Sequence, residues 1–247
     1  MIEIKKLTKS FESLQVLKGI DLSIKNGETM AVMGASGSGK SVLLKLIVGL
    51  LAPDDGKIWI DNKEITNLSE KQMDKVRQNI GMVFQSGALF DSLTVGENVS
   101  FSLVRRTEMS KAEIAKAVSE KLERVGLKGI ENMMPSQLSG GMRKRVSLAR
   151  AISMEPQIIL YDEPTTGLDP LMSTEVNALI KKLHDELGVT SIVVTHDMKS
   201  AFTVATEMAM LKNGEIVAVG TPEEMRSSSE PWVFDFINTG IFRNDPQ

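Results

Sequence analysis

An α/β fold is predicted, with a parallel sheet at its centre, strands of a partly exposed sheet towards the N-terminal side and a helical insertion in the middle. Three observations carry that prediction. A turn rich in glycine and serine, Gly34-Ala35-Ser36-Gly37-Ser38-Gly39-Lys40-Ser41, joins the strand-like run Thr29 to Met33 to the helix-like run Val42 to Leu50. Two continuous apolar runs downstream, Gln157 to Glu163 and Thr190 to Val194, have the composition of strands covered on both faces. Between the turn and the first of these runs, from Ser86 to Glu155, helical periodicity replaces strand signals.

The bulk properties exclude several classes. Apolar content of 42% and charged content of 25% over 247 residues are those of a globular protein long enough to bury a full core. A formal net charge of −3 gives no electrostatic case for a nucleic-acid partner. The absence of cysteine removes disulfides and thiolate metal sites. The longest apolar stretch, Val42 to Ala52, is broken by Lys45 and is too short to span a bilayer, and the opening Met1-Ile2-Glu3-Ile4-Lys5-Lys6 lacks the apolar run of a signal peptide. A cytosolic polypeptide is therefore expected, unless another protein holds it at a membrane.

The turn satisfies G-x-x-x-x-G-K-[ST], and its position between a strand and a helix is the context that this pattern demands. Gly34, Gly37 and Gly39 let the backbone curl so that the N–H groups of Ala35, Ser36, Ser38 and their neighbours point inward. The helix beginning near Val42 adds the positive end of its dipole, Lys40 reaches the outer phosphates, and the Ser41 hydroxyl suits Mg²⁺. The chemistry implied is nucleoside triphosphate binding.

The rest of the chain reads in order. Ile2 to Lys6 and Val16 to Ile24 alternate apolar and polar residues, as strands of a partly exposed sheet do, with a polar stretch between them. Phe11 lies in that stretch, placed either to stack on an adenine ring or to plug the sheet. Ala52-Pro53-Asp54-Asp55-Gly56 is a turn signal, Lys57 to Asp61 a short strand with Trp59, and Asp61-Asn62 a hairpin tip. Ser69 to Arg77 is helix-like, and Ile80 to Phe84 is a strand ending at Gln85, which is either surface filler or a reporter on Mg²⁺ and the attacking water. Gly87, Asp91 and Ser92 mark the entry to a helical lobe with helices over Val95 to Val104, Lys111 to Val125 and Gly140 to Met154. After Gly167-Leu168-Asp169-Pro170 a helix runs from Leu171 to Leu187; a hairpin follows over Glu207 to Leu211 and Glu215 to Val219, split by Asn213-Gly214. Thr221-Pro222-Glu223-Glu224 opens a further helix.

Four features carry chemistry beyond the turn. Ser139 caps a helix whose first residues, Gly140 and Gly141, leave backbone N–H groups bare for an anion; the same segment also fits a capped helix with a solvated basic face of Arg143, Lys144, Arg145 and Arg150. Asp162 and Glu163 end an apolar strand, where Asp162 suits Mg²⁺ and Glu163 can polarise a water, or where both simply cap the strand in a solvated loop. His184 falls in mid-helix and reads as a surface or rim residue, whereas His196 stands at a strand's carboxyl end, where open parallel sheets place ligands, and suits a γ-phosphate contact. Pro231-Trp232-Val233-Phe234-Asp235-Phe236-Ile237 concentrates aromatics in a chain that is 4% aromatic, which suggests docking either on its own domain or on a second subunit.

Together and in this order, these motifs resemble the nucleotide-binding ATPase subunits of ABC transporters over nearly the whole chain. The resemblance implies a P-loop NTPase (RecA-like) core, residues 1–85 and 156–225, with an N-terminal antiparallel β-subdomain, an inserted α-helical subdomain, 86–155, that carries the signature motif, and a C-terminal docking tail, 226–247. It implies ATP and Mg²⁺ as cofactors. Gly34 to Val42 would hold the phosphates, Phe11 the adenine and Val16 the ribose. Ser41, Asp162 and Gln85 would hold Mg²⁺, and Lys40, Gln85, Glu163 and His196 would carry out hydrolysis. Leu138-Ser139-Gly140-Gly141 would be the signature and Gly167 to Asp169 the D-loop. In a head-to-tail homodimer enclosing two ATP molecules, Ser139 and Gly141 would act in trans, with Gly140 and Asp169 also among the nucleotide-binding residues. The fifth signature position is Met142, which cannot hydrogen-bond as the more usual glutamine does.

Met142 followed by Arg143-Lys144-Arg145-Val146-Ser147-Leu148-Ala149-Arg150-Ala151, the segment Gln85-Ser86-Gly87-Ala88-Leu89-Phe90 and the aromatic tail resemble the Mla and Mce-associated branch. That branch energises phospholipid movement across the envelope of diderm bacteria. The implied partners are integral-membrane permease subunits, an MCE-domain lipid-binding protein and a small STAS-like accessory protein, with the chain peripheral on the cytoplasmic face of the inner membrane. A soluble ABC ATPase of nucleic-acid repair, translation or cluster assembly competes with this, but such proteins usually carry two cassettes or a long coiled-coil insertion and a basic surface. A GTPase or small-molecule kinase shares the turn but leaves Leu138 to Gly141 without a purpose, and Asn62-Lys63-Glu64-Ile65 fails as a guanine-binding element at its last position.

Overall fold

Alternating isoleucines at the start of the chain pair as antiparallel neighbours, and the remaining elements follow in the order of the hydrophobic pattern. The computed structural model describes residues 1–239. The strands β1 (Ile2–Phe11), β2 (Leu14–Ile24) and β3 (Thr29–Met33) lead into α1 (Lys40–Ile47). Next come β4 (Asp55–Ile60), β5 (Lys63–Glu64), α2 (Glu70–Arg77) and β6 (Ile80–Val83). The helices α3 (Val95–Arg106), α4 (Lys111–Arg124) and α5 (Gly140–Ala151) then precede β7 (Ile158–Asp162) and α6 (Pro170–Leu187). The last elements are β8 (Thr190–Thr195), α7 (Met198–Val204), β9 (Glu207–Lys212), β10 (Glu215–Gly220), α8 (Pro222–Arg226) and α9 (Pro231–Thr239). None of the described helices is long and apolar enough to cross a membrane.

Two compact units emerge, Met1–Met73 together with the segment from Thr190 onward, and Asp74–Val189. In the first, β1 pairs with β2 (Ile2 opposite Ile24) and with β4 (Ile2 opposite Ile60, Ile4 opposite Ile58), which turns the isoleucine face into core. The polar stretch expected to separate two short strands is instead the outer half of this hairpin, with Phe11 opposite Leu14. A ladder of backbone hydrogen bonds continues past the point where an apolar face is needed, so the side-chain pattern could not report it.

A second set of strands in the same unit holds the glycine-rich turn. β3 runs parallel to β8, with Met33 opposite Thr195, and to β9, with Met33 opposite Met210. All of β3 and β8 is buried, as their β-branched and apolar composition requires. β10 returns antiparallel to β9 through Asn213 (φ +50°) and Gly214 (φ +86°), both left-handed as a tight hairpin demands. Ala31, Met33, Ala201, Met208, Met210, Met225, Val233 and Phe236 form one buried cluster. The aromatic tail thus packs, through Val233 and Phe236, on its own unit, with Trp232 and Phe236 rings 5.1 Å apart and Phe234 exposed. The rest of that tail, residues 240–247, lies outside the described residues.

Glu28, just before β3, is 8% exposed; its Oε2 accepts from the Lys25 N–H at 3.2 Å and its Oε1 has no partner among the described residues. Burial pushes this carboxyl above its ordinary value, the Lys25 N–H opposes that, and the nearby Glu207 carboxylate adds to it. Because the folded-state value is raised, the ionised form costs stability, and the cost appears as pH rises from about 4.5 through the folded value. Glu28→Gln is expected to raise the thermal midpoint by about 1–4 °C at pH 8 and to leave it unchanged near pH 4. Equal shifts at both pH values would remove ionisation as the cause.

In the second unit, β6 and β7 pair in parallel with Ile80 opposite Ile158 and Val83 opposite Tyr161. Helices α3 and α4 both begin with a capping box, Thr94 with Glu97 and Ser110 with Glu113. The fully buried Asn98 ties down the preceding loop by accepting from the Phe90 N–H and donating to the carbonyls of Phe90, Leu93 and Thr94.

Candidate nucleotide site

Between the end of β3 and the start of α1, Gly34 to Gly39 form a cradle that only glycine permits at both ends. A Cβ on Gly34 would lie 2.2 Å from the Leu211 carbonyl oxygen. Gly39 has φ +106°, and a Cβ there would lie 2.7 Å from Leu17 Cδ2 and 3.1 Å from Val16 Cγ1, so Val16 abuts the cradle. Lys40 is 5% exposed, and its ammonium donates to the carbonyls of Gly34 at 2.9 Å and Ala35 at 2.8 Å. The Ser38 N–H donates to the Ala35 carbonyl at 3.2 Å, while the Ser38 hydroxyl is buried without a hydrogen-bond partner among the described residues. An unpartnered buried hydroxyl beside a buried cation in a glycine-rich loop fits an anionic, phosphate-bearing ligand. Ser36 and Gly37 are exposed, and Ser41 and Val42 are half-buried in the first turn of α1.

The parallel register places Thr195 opposite Met33, so Gly34 and His196 leave the sheet at the same level, with His196 exposed. Phe11 ends β1 at the hairpin and is 42% exposed, with the Lys9 ammonium 5.6 Å from its ring centroid. It does not plug the sheet; its ring faces solvent on the hairpin whose second strand carries Val16.

In the second unit, β7 delivers two buried carboxylates. Asp162 is 6% and Glu163 7% exposed, which removes the expectation of a solvated loop. Glu163 is held in the left-handed region, φ +49°, and its Oε2 accepts from the Thr166 hydroxyl at 3.0 Å. The side chain of Gln85 is exposed, but its carbonyl accepts from the Lys144 ammonium, which also donates to the Glu163 carbonyl at 3.4 Å. Burial pushes the Lys144 ammonium below its ordinary value, against the opposing charges of Asp162 and Glu163.

The basic side chains of α5 divide: Lys144 is buried and Arg145 and Arg150 are half-buried, whereas Arg143 is exposed. Arg150 donates to the carbonyls of Ala88 and Gly87, Arg143 to that of Leu138, and Arg145 pairs with Glu175 at 2.5 Å. Loop carbonyls facing the helix give these donors acceptors, which sequence alone could not show. Ser147, overlooked on sequence grounds, donates to the Gly87 carbonyl at 2.8 Å. The available signal was the spacing of Lys144, Ser147 and Arg150, three residues apart on one helix.

Ser139 is the exposed N-cap of α5, its hydroxyl accepting from the Met142 N–H at 3.2 Å. Gly141 is buried, and a Cβ there would lie 2.9 Å from Met172 Sδ on α6, so this glycine answers to helix packing; Gly140 would meet Leu168 only at 3.5 Å. Asp169 caps α6, one oxygen accepting from the N–H groups of Leu171 and Met172 at 2.9 Å. No group of three or more metal-ligating His, Cys, Asp or Glu side chains occurs among the described residues. A Mg²⁺ ion asks for less, one or two hard oxygen donors beside phosphate; the first unit offers a hydroxyl of that kind at Ser41, and the second, taken by itself, a carboxylate at Asp162.

The family model described as "ABC transporter" matches residues 17–166. The chain is 44% identical over 253 residues to the chloroplastic protein TRIGALACTOSYLDIACYLGLYCEROL 3 of Arabidopsis thaliana, covering 96% of this chain and 73% of that protein. It is 40% identical over 237 residues to the intermembrane phospholipid transport system ATP-binding protein MlaF of Haemophilus influenzae, covering 96% of this chain and 90% of that one. Among solved structures, the dimeric ATP-binding cassette MJ0796 in a post-hydrolysis state with ADP and Pi matches with a TM-score of 0.82 at 39% identity, over 90% of this chain and 98% of that chain.

Proposed function

This chain belongs to the ABC transporter family as an ATP-hydrolysing subunit, and we propose that its turnover drives phospholipid across a bacterial envelope. One observation carries the chemistry: a glycine cradle that closes on the buried Lys40 ammonium and leaves the Ser38 hydroxyl without a hydrogen-bond partner among the described residues. The cargo is supported by the Haemophilus relative, an ATP-binding protein of an intermembrane phospholipid transport system, and by the Arabidopsis relative, whose name is that of another glycerolipid.

In this reading Gly34 to Val42 hold the phosphates through backbone N–H groups, and Lys40 neutralises their outer charge. The exposed Phe11 ring stacks on adenine, and Val16 contacts the ribose. Ser41, Asp162 and Gln85 hold Mg²⁺, which when bound neutralises charge on the phosphate oxygens. Glu163 orients the attacking water and accepts its proton, and His196 contacts the γ-phosphate. Cassettes of this family form dimers, as MJ0796 does; here the dimer is a head-to-tail homodimer in which Ser139, Gly140, Gly141 and Asp169 serve the partner's nucleotide. The helical segment 86–155 then relays nucleotide state to integral-membrane permease subunits on the cytoplasmic face of the inner membrane, with an MCE-domain protein and a STAS-like protein completing the assembly.

Purification of the tagged chain from detergent-solubilised membranes, followed by mass spectrometry of proteins and lipids, tests this. Integral-membrane subunits and enriched glycerophospholipid are expected. Recovery free of membrane subunits, with a salt-sensitive shift of nucleic acid at neutral pH, would sink the transport reading and favour a soluble ABC ATPase.

A further inference from the structure

We propose that Lys144 is a positioning residue for ATP hydrolysis, a buried tie that fixes the main chain at Gln85 and at Glu163 relative to one another. The proposal rests on the assignment of Gln85 and Glu163 to hydrolysis made above. Lys144 lies on α5 and is 6% exposed. An ammonium is costly to bury unless its protons are taken up by acceptors. Here the acceptors are two main-chain carbonyls, those of Gln85 and Glu163. The Lys144 bonds therefore fix backbone and leave the side chains of both residues uncommitted to them.

The same face of α5 repeats the arrangement. Ser147 donates to the Gly87 carbonyl at 2.8 Å, and Arg150 donates to those of Gly87 at 3.1 Å and Ala88 at 2.8 Å. Residues 144, 147 and 150 thus hold the carbonyls of 85, 87 and 88 along one stripe of helix. The captured backbone is also strained: Ala88 (φ +46°) and Glu163 (φ +49°) are non-glycine residues in the left-handed region. Such conformations persist when the surroundings hold them. Gly87, at φ +80°, has no room for a side chain, since a Cβ would lie 2.8 Å from the Ser147 hydroxyl oxygen. Lys144 is the member of the stripe that reaches both segments, and the Asp162 and Glu163 charges favour a cation at its position. A water-positioning carboxylate tolerates little displacement, so release of this tie would slow the chemical step while sparing the cradle that binds nucleotide.

The test uses the full chain. Lys144→Met keeps an unbranched side chain one atom shorter than that of lysine and removes the three N–H donors. It is expected to lower kcat about 10- to 100-fold with the KM for ATP changed less than about threefold, because the loss falls on positioning and not on uniform binding. Amides of residues 85–90 and 163–166 are expected to exchange about tenfold faster, those of α3 and α4 at the parental rate. Lys144→Arg, which keeps charge and donors, is expected to recover most of the lost kcat. Lys144→Gln, which reaches one carbonyl at most, should fall between them and serves as the readout where the Met variant does not fold. Turnover within about twofold of the parent in the Met variant, or in the Gln variant standing in for it, or an equal loss in the Arg variant, overturns the proposal. Glu163→Gln separates the two levels. Normal hydrolysis in that variant counts against the assignment of Glu163, whereas an inactive Glu163→Gln beside a fully active Lys144→Met counts against the tie alone.

Discussion

Glu163→Gln is expected to lower ATP turnover by about 10²- to 10⁴-fold, the range for loss of a general base, while ATP binding is kept and the dimer accumulates closed. Glu163 is 7% exposed at the carboxyl end of β7, and the Thr166 hydroxyl donates to its Oε2 at 3.0 Å. Glutamine keeps the volume and one oxygen for Thr166, so neither packing nor the left-handed backbone at this position gains a new reason to move. What disappears is the ability to take a proton from water. Single-turnover hydrolysis, nucleotide affinity and size-exclusion chromatography in ATP would measure the three effects. Near-parental hydrolysis would remove Glu163 from the mechanism.

Lys40→Ala should fail one step earlier, at binding. Its ammonium is held over the cradle by the Gly34 and Ala35 carbonyls, a position from which it can turn to phosphate oxygens at little cost in ordering. A charge-assisted hydrogen bond lost from a buried site contributes about 1.5–3 kcal/mol, so ATP affinity is expected to fall about 10- to 100-fold. Equilibrium binding of a labelled ATP analogue reads this directly, with the thermal midpoint as a check that the loop still folds. Together the two variants give opposite profiles, the first binding without turnover and the second losing binding. A mechanism in which both residues merely support the fold would give the same profile twice.

Much of the site was legible because its chemistry needs particular residue types at fixed short spacings. Gly34, Gly39 and Lys40 lie within one turn, and the backbone path between β3 and α1 follows from which residues accept positive φ or close approach. The buried runs ending at Asp162 and Thr195 were equally plain, since a strand covered on both faces has no polar side to confuse the pattern. The outer half of the β1–β2 hairpin was missed because its polar residues carry no periodic signal, and the acceptors met by Lys144 and Arg150 on α5 were not legible because composition cannot say what lies opposite a helix. Met33 and Thr195, far apart in the chain, are brought level by parallel register, which no local spacing encodes.

By itself, then, the sequence determined the buried strands, the glycine-rich turn and the identities of the candidate reactive groups, because each depends on backbone preference and side-chain chemistry within a few residues. Tertiary structure alone decided that Lys144 would be buried against Gln85 and Glu163, that Gly141 is small to admit Met172, and that Val233 and Phe236 complete a core begun at Ala31. The reason is physical: burial, desolvation and the supply of acceptors depend on segments distant along the chain, and only packing brings those segments together.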